Sequence, residues 1–215
     1  MAYPLTCLGV LYHQQGQYER AEPFYQRALQ IWEQALGPER PQVASPLTNL
    51  GELYYAQGDY ERAEPLLQRA LHIWEQTLGL EHSEVTYPLN GLANLARDQG
   101  QYQQADALYQ RALTLRQQHL TPQHPDLAET LHDLARLRQM QGHLTEALSL
   151  YQQALAIRKQ VFGTEHPKTI DTRQCLCTVL QTLGETEEAA ALEQAHRDQA
   201  QQESKQKELP STSTH

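Results

Sequence analysis

The 215-residue chain carries 26 acidic against 17 basic residues, a formal net charge of −9, and its basic side chains are scattered along the sequence, which argues against a nucleic-acid-binding class. Its 40% hydrophobic content lies in Leu and Ala more than in aromatics, and no apolar run approaches the roughly eighteen residues of a membrane span, so a helical, cytoplasmic protein without membrane contact is expected. Cys7, Cys175 and Cys177 form an odd set, two of them one residue apart on a helical pattern, and are read as reduced thiols.

The chain opens at Tyr3-Pro4-Leu5, already inside a predicted helix that ends at Gly16, and a second helix follows from Tyr18. Shifting the sequence by 42 residues aligns Gly16 with Gly58, Gly100, Gly142 and Gly184, and Ala21 with Ala63, Ala105, Ala147 and Ala189. In the second copy, Leu47, Leu50, Gly51 and Tyr54 fall at i, i+3, i+4 and i+7, the apolar stripe of a first helix. Tyr60, Ala63, Leu67, Ala70, Leu71, Trp74 and Leu78 mark a second helix of about eighteen residues. Gly58 supplies the turn between them, and Gly51 with Ala63 lets the two backbones approach. Neither helix buries its stripe alone, so each copy needs its neighbours.

The copies span approximately residues 1–37, 38–79, 80–121, 122–163 and 164–200, leaving 201–215 as a polar tail expected to be disordered beyond a fraying helix. Pro23 and Pro65 in second helices, and Pro4, Pro46 and Pro88 in first helices, challenge the helical reading. Ser149 stands where Pro23 and Pro65 do, and Thr130 where Pro46 and Pro88 do, so a bend or a late helix start is expected at each proline. In the fifth copy Glu193, His196 and Arg197 replace Tyr151, Ala154 and Leu155, a polar cap. The first copy has no such cap, and we expect either that the polypeptide continues upstream or that this end pairs with another molecule.

The order Leu-Gly-x-x-Tyr, then Gly-x-Tyr and two alanines, with "EHP" connectors and "AEPLLQRAL" helices, resembles the tetratricopeptide repeat family, in its 42-residue kinesin light chain-like form, over about residues 1–195. The resemblance implies an all-α fold: a right-handed α-solenoid of five antiparallel helix pairs with a polar C-terminal helix. It further implies a scaffold that binds a partner protein or linear peptide in a concave groove lined by the first helices.

The first-helix positions not used for packing are rich in amides, hydroxyls and aromatics, and we take Thr48, Asn49, Glu52, Tyr55, Asn90, Asn94, Arg97, His132, Asp133 and Arg136 as the candidate groove. Arg97 and Arg136 are expected to select acidic residues in the ligand. The alternative is the sensor or regulatory repeat region of a larger signalling ATPase. His82, His124 and His166 recur once per copy, too far apart to share a metal, and are read as connector or capping residues. Trp32 and Trp74 are read as half-exposed contacts on the outer face, with an interaction surface there left open. No phosphate loop, metalloprotease motif or nucleophile elbow occurs, so neither catalysis, a cofactor nor a metal is expected.

Overall fold

A computed structural model describes residues 2–208, without the side chains of residue 196 and of those from 199 onward. Among the described residues every regular element is a helix. The chain divides into two compact units, Met1–His119 and Leu120–His215.

The first unit holds α1 (Ala2–Gln14), α2 (Tyr18–Leu36), α3 (Pro41–Ala56), α4 (Tyr60–Leu78), α5 (Thr86–Asp98) and α6 (Tyr102–His119). They form three hairpins, and α3 also packs on α2 and α5. The second unit holds α7 (Pro125–Met140), α8 (Leu144–Phe162), α9 (Pro167–Leu183) and α10 (Thr186–Glu208), again as hairpins, with α8 packed on α9. Helix α10 continues to Glu208, so part of the segment assigned to the tail is helical, and residues 209–215 lie outside the described residues. No described helix is long and apolar enough to cross a membrane.

Each hairpin turns on its aligned glycine. At Gly58, with φ at 79°, the glycine N–H reaches the Tyr55 carbonyl at 2.9 Å and the following Asp59 N–H reaches the Tyr54 carbonyl at 2.8 Å. This paired bonding closes the helix end with a left-handed residue, which only glycine adopts without strain. The same pair of bonds recurs at Gly16, Gly100, Gly142 and Gly184. The close approach at Gly51 is equally literal: a Cβ there would stand 2.6 Å from Leu67 Cγ and 3.3 Å from the Ala63 carbonyl oxygen.

Side chains cap α4, α7, α9 and the 3₁₀ turn that precedes α5. His82, His124 and His166 each accept, through Nδ1, the backbone N–H two residues on, at 3.2 Å. The connector histidines are therefore caps, satisfying a donor that the first turn leaves unpaired. Asp59 does the same for Arg62 at the start of α4.

The prolines divide by position. Pro88 is the third residue of α5, which begins late, after a 3₁₀ turn at Ser83–Val85, and Pro4 is likewise in the first turn of α1. Helices α2, α3 and α4 run through Pro23, Pro46 and Pro65. All three lie within the first two turns, so each helix loses one hydrogen bond close to its N-terminal end.

Two apolar clusters fill the first unit. One joins Val43, Leu47, Ile73, Trp74, Val85, Leu89 and Leu115, and the other Tyr25, Leu50, Leu53, Tyr54, Leu67, Leu92 and Leu95. In the second unit Tyr151, Leu155, Leu176, Val179 and Leu180 pack together. The tryptophan reading is corrected here, because Trp74 is 4% exposed and sits between α3 residues and those of the next copy. Trp32 is half-buried, edge-on to Tyr3 with ring centres 5.1 Å apart. Their counterparts Arg116 and Arg158 are buried too, Arg116 over the Tyr87 ring. This position of the second helix faces first helices, where an aromatic ring or the flat guanidinium of Arg can both pack.

Candidate functional site

In the first unit the candidate face is carried by α3 and α5. Asn49, Glu52 and Tyr55 on α3 are half-buried, as is Asn94 on α5, and the ring of Tyr87 is exposed at the start of α5. Thr48 is buried, with its hydroxyl donated to the Ala44 carbonyl at 3.0 Å, and Asn90 is buried beside it in sequence register.

Arg97 departs from its expected role. It is 1% exposed and its guanidinium is committed on every side. Nε donates to Asp98 Oδ1 at 2.8 Å, Nη1 to Asn94 Oδ1 and to the Tyr109 hydroxyl at 3.0 Å, and Nη2 to the Tyr55 hydroxyl at 2.9 Å. Tyr55 donates in turn to Asp98 Oδ2 at 2.7 Å and stacks on Tyr60, while Tyr109 donates to Asn94 Oδ1. A buried cation needs a carboxylate and filled hydrogen bonds, and Arg97 has both. The expectation that it selects an acidic ligand is corrected by its burial: Arg97 instead joins Asn94 and Asp98 of α5 to Tyr55 of α3 and Tyr109 of α6. Asp98 and Tyr109 were not singled out from the sequence, although Tyr25, Tyr109 and Tyr151 occupy one repeat position and were a signal available there.

In the second unit α7 carries His132, Asp133 and Arg136. Arg136 is exposed and Asp133 half-buried. His132 is buried, with its ring edge-on to that of Tyr151 at 5.3 Å, Nδ1 3.3 Å from Thr172 Oγ1 and Nε2 3.2 Å from Asp171 Oδ2. Arg158, from α8, donates to the Lys168 carbonyl and to Thr172, and stands 3.9 Å from Asp171. Burial pulls the Arg158 guanidinium down from its ordinary value, opposed by Asp133, Glu129 and Asp171. Burial also pushes the Tyr151 hydroxyl and the Cys175 thiol up; for the thiol the Asp171 charge adds to this, while the Tyr151 hydrogen bond, Arg136 and Arg158 oppose it.

Paired helices at a fixed period, each hairpin closed by a left-handed glycine, with polar rows left on the first helices, define a helical repeat array. The chain belongs to the tetratricopeptide repeat family, whose model matches residues 1–76, 84–160 and 141–202. No curated protein matches the chain.

Among solved structures, it is similar to a Podosopora anserina protein assigned to the kinesin light chains, with nearly identical TPR-like repeats. That likeness has 27% identity and a TM-score of 0.71, covering 94% of this chain and 95% of that one. Its repeats are thus of kinesin light chain-like type. BtubC (BKLC) from P. vanneervenii shares the fold at 22% identity and TM-score 0.75, over 98% of this chain and 83% of that one. A Rap protein complexed with Competence and Sporulation Factor shares it at 16% identity and TM-score 0.78, over 93% of this chain and 54% of that one.

Proposed function

We propose that the chain is a non-catalytic scaffold that holds an extended peptide, or an extended segment of a partner protein, against the first helices of its repeats. The observation that carries this reading is the α3–α5 face, where half-buried Asn49 and Glu52 share their helix with Tyr55, one member of a network that also holds Arg97, Asn94, Asp98 and Tyr109. Amide side chains offer both donors and acceptors to a peptide backbone, and a network already ordered removes much of the entropy cost of binding. In the second unit the exposed Arg136 takes the role of acidic-residue selector that Arg97 is too buried to fill.

The Rap complex is a case of a protein of this fold solved with a factor bound, which agrees with a ligand-holding use of the array. The three free cysteines accord with a reducing, cytoplasmic setting. Affinity for a short linear ligand is expected on the order of micromolar, since it sums modest contacts.

The test is a peptide-library screen against the chain, followed by titration of the selected peptides. Asn49→Ala combined with Glu52→Ala is expected to weaken binding at least about tenfold, near the cost of one or two lost charge-assisted hydrogen bonds. Arg136→Glu is expected to weaken acidic peptides selectively. Unchanged affinities in both variants, with helicity preserved, would remove the assignment.

A further inference from the structure

We propose that His132, Asp171 and Cys175 form a three-ligand site for a divalent transition-metal ion, zinc in preference to magnesium or calcium, where side chains of α7 and α9 meet. Asp171 and Cys175 stand four residues apart, one turn along the same face of α9, and His132 reaches them from α7. One donor atom from each lies within 4.8 Å of the other two. The 3.2 Å between His132 Nε2 and Asp171 Oδ2 is close to the roughly 3.3 Å edge of a tetrahedron built on bonds near 2 Å.

One tautomer of His132 leaves room for a positive centre at this spot. The Thr172 hydroxyl lies 2.9 Å from the Lys168 carbonyl and 3.3 Å from His132 Nδ1; in the arrangement in which it donates to the carbonyl, its oxygen accepts from Arg158 and from His132 Nδ1. With the ring proton on Nδ1, Nε2 turns its lone pair toward a carboxylate oxygen. Two lone pairs at that distance repel unless a proton or a metal ion lies between them. The Nδ1 contact is also the outer support that metal-binding imidazoles use to hold their orientation.

Imidazole nitrogen, thiolate sulfur and carboxylate oxygen together are a donor set that suits zinc and disfavours hard cations. The Tyr151 hydroxyl donates to Gln139 Oε1 at 3.0 Å, and burial together with the Asp171 charge holds the Cys175 thiol up in the metal-free chain, so the ion itself has to favour the thiolate. On coordination the thiol proton passes to solvent as the metal–sulfur bond forms. The Asp171 side chain is 61% exposed, so the fourth position opens toward solvent, where water or a ligand carboxylate completes the sphere. Arg158 beside Asp171 and Arg136 near Cys175 oppose a cation, so the affinity expected is on the order of micromolar. Only this register combines His with Cys: one period earlier the same positions hold Asn90, Glu129 and Asp133, and two periods earlier Thr48, Tyr87 and Gly91. The inference does not depend on the peptide reading.

Titration of the chain with Co²⁺ alone tests it, because a thiolate bound to cobalt gives a near-ultraviolet charge-transfer band that an ion pair or a surface carboxylate cannot. One cobalt per chain with that band, displaced by Zn²⁺, is expected. The band should vanish in Cys175→Ser and persist in a Cys7→Ser, Cys177→Ser double variant. His132→Gln and Asp171→Asn should each weaken binding at least about tenfold with helicity unchanged. A wild-type chain without the band would show that a proton joins His132 to Asp171. A band surviving in Cys175→Ser would place the metal elsewhere, and either result overturns the proposal.

Discussion

Arg97 donates to the Tyr55 hydroxyl at 2.9 Å, and the two residues occupy the same repeat position one 42-residue period apart. A position that repeats in sequence thus bonds to its own counterpart in the next copy. The bond ties α3 to α5 while Nη1 of the same side chain ties α5 to Tyr109 of α6.

Arg97→Met should therefore destabilise the first unit by roughly 3 kcal/mol, since Asp98, Asn94 and two tyrosine hydroxyls lose a charged partner together. Urea unfolding followed by circular dichroism measures it. Tyr55→Phe should cost about 1 kcal/mol, and the double variant less than the sum, because the two substitutions remove one shared bond.

Gly51→Ala is expected to cost about 1–3 kcal/mol, as its methyl group would meet Leu67 Cγ and the Ala63 carbonyl. Adding Leu67→Ala should make the combination less damaging than the two separate losses predict, a coupling that a thermal-unfolding cycle reads directly. Equal additivity would show that the α3–α4 approach is looser than it stands here.

His124→Ala should lower stability by about 1 kcal/mol through loss of the cap on α7, and His124→Asn should restore most of it, since the amide oxygen accepts the same N–H. His166→Ala should behave alike at α9. Denaturant midpoints of the three variants decide the matter.

The thiols should separate by reactivity. Cys177 is buried, and burial pushes its thiol up to about 11, with the hydrogen bond to Glu193 contributing further. At pH 8 only about one in a thousand Cys177 thiols is ionised, so alkylation followed by mass spectrometry should find the exposed Cys7 modified well before Cys177. Labelling of Cys177 should quicken roughly tenfold per pH unit up to about 11. The raised thiol also means that its contribution to stability is present below the ordinary thiol range and is lost as pH climbs through about 11.

Much of the fold was legible because a repeat writes its geometry several times. Gly58 and its aligned partners announced their turns, and Gly51 announced a close approach, since each demand is local and falls on one residue type. Helix type was also legible at Pro46 and Pro65 by comparison with Thr130 and Ser149, where the same pattern continues without proline. The candidate face was legible only as a row of polar positions. Periodicity says which way a side chain leaves its helix and nothing of what it meets, so Arg97 and an exposed selector such as Arg136 look alike in sequence.

By itself the sequence determined the helix pairs, their period and their turns, because those follow from backbone preferences and apolar spacing within a few residues. Only the tertiary structure decided that Trp74 lies in the core, that Arg97 is bound by four neighbours, and that His132, Asp171 and Cys175 meet. Those outcomes depend on side chains about one period apart in the chain, whose encounter is set by how one hairpin packs on the next.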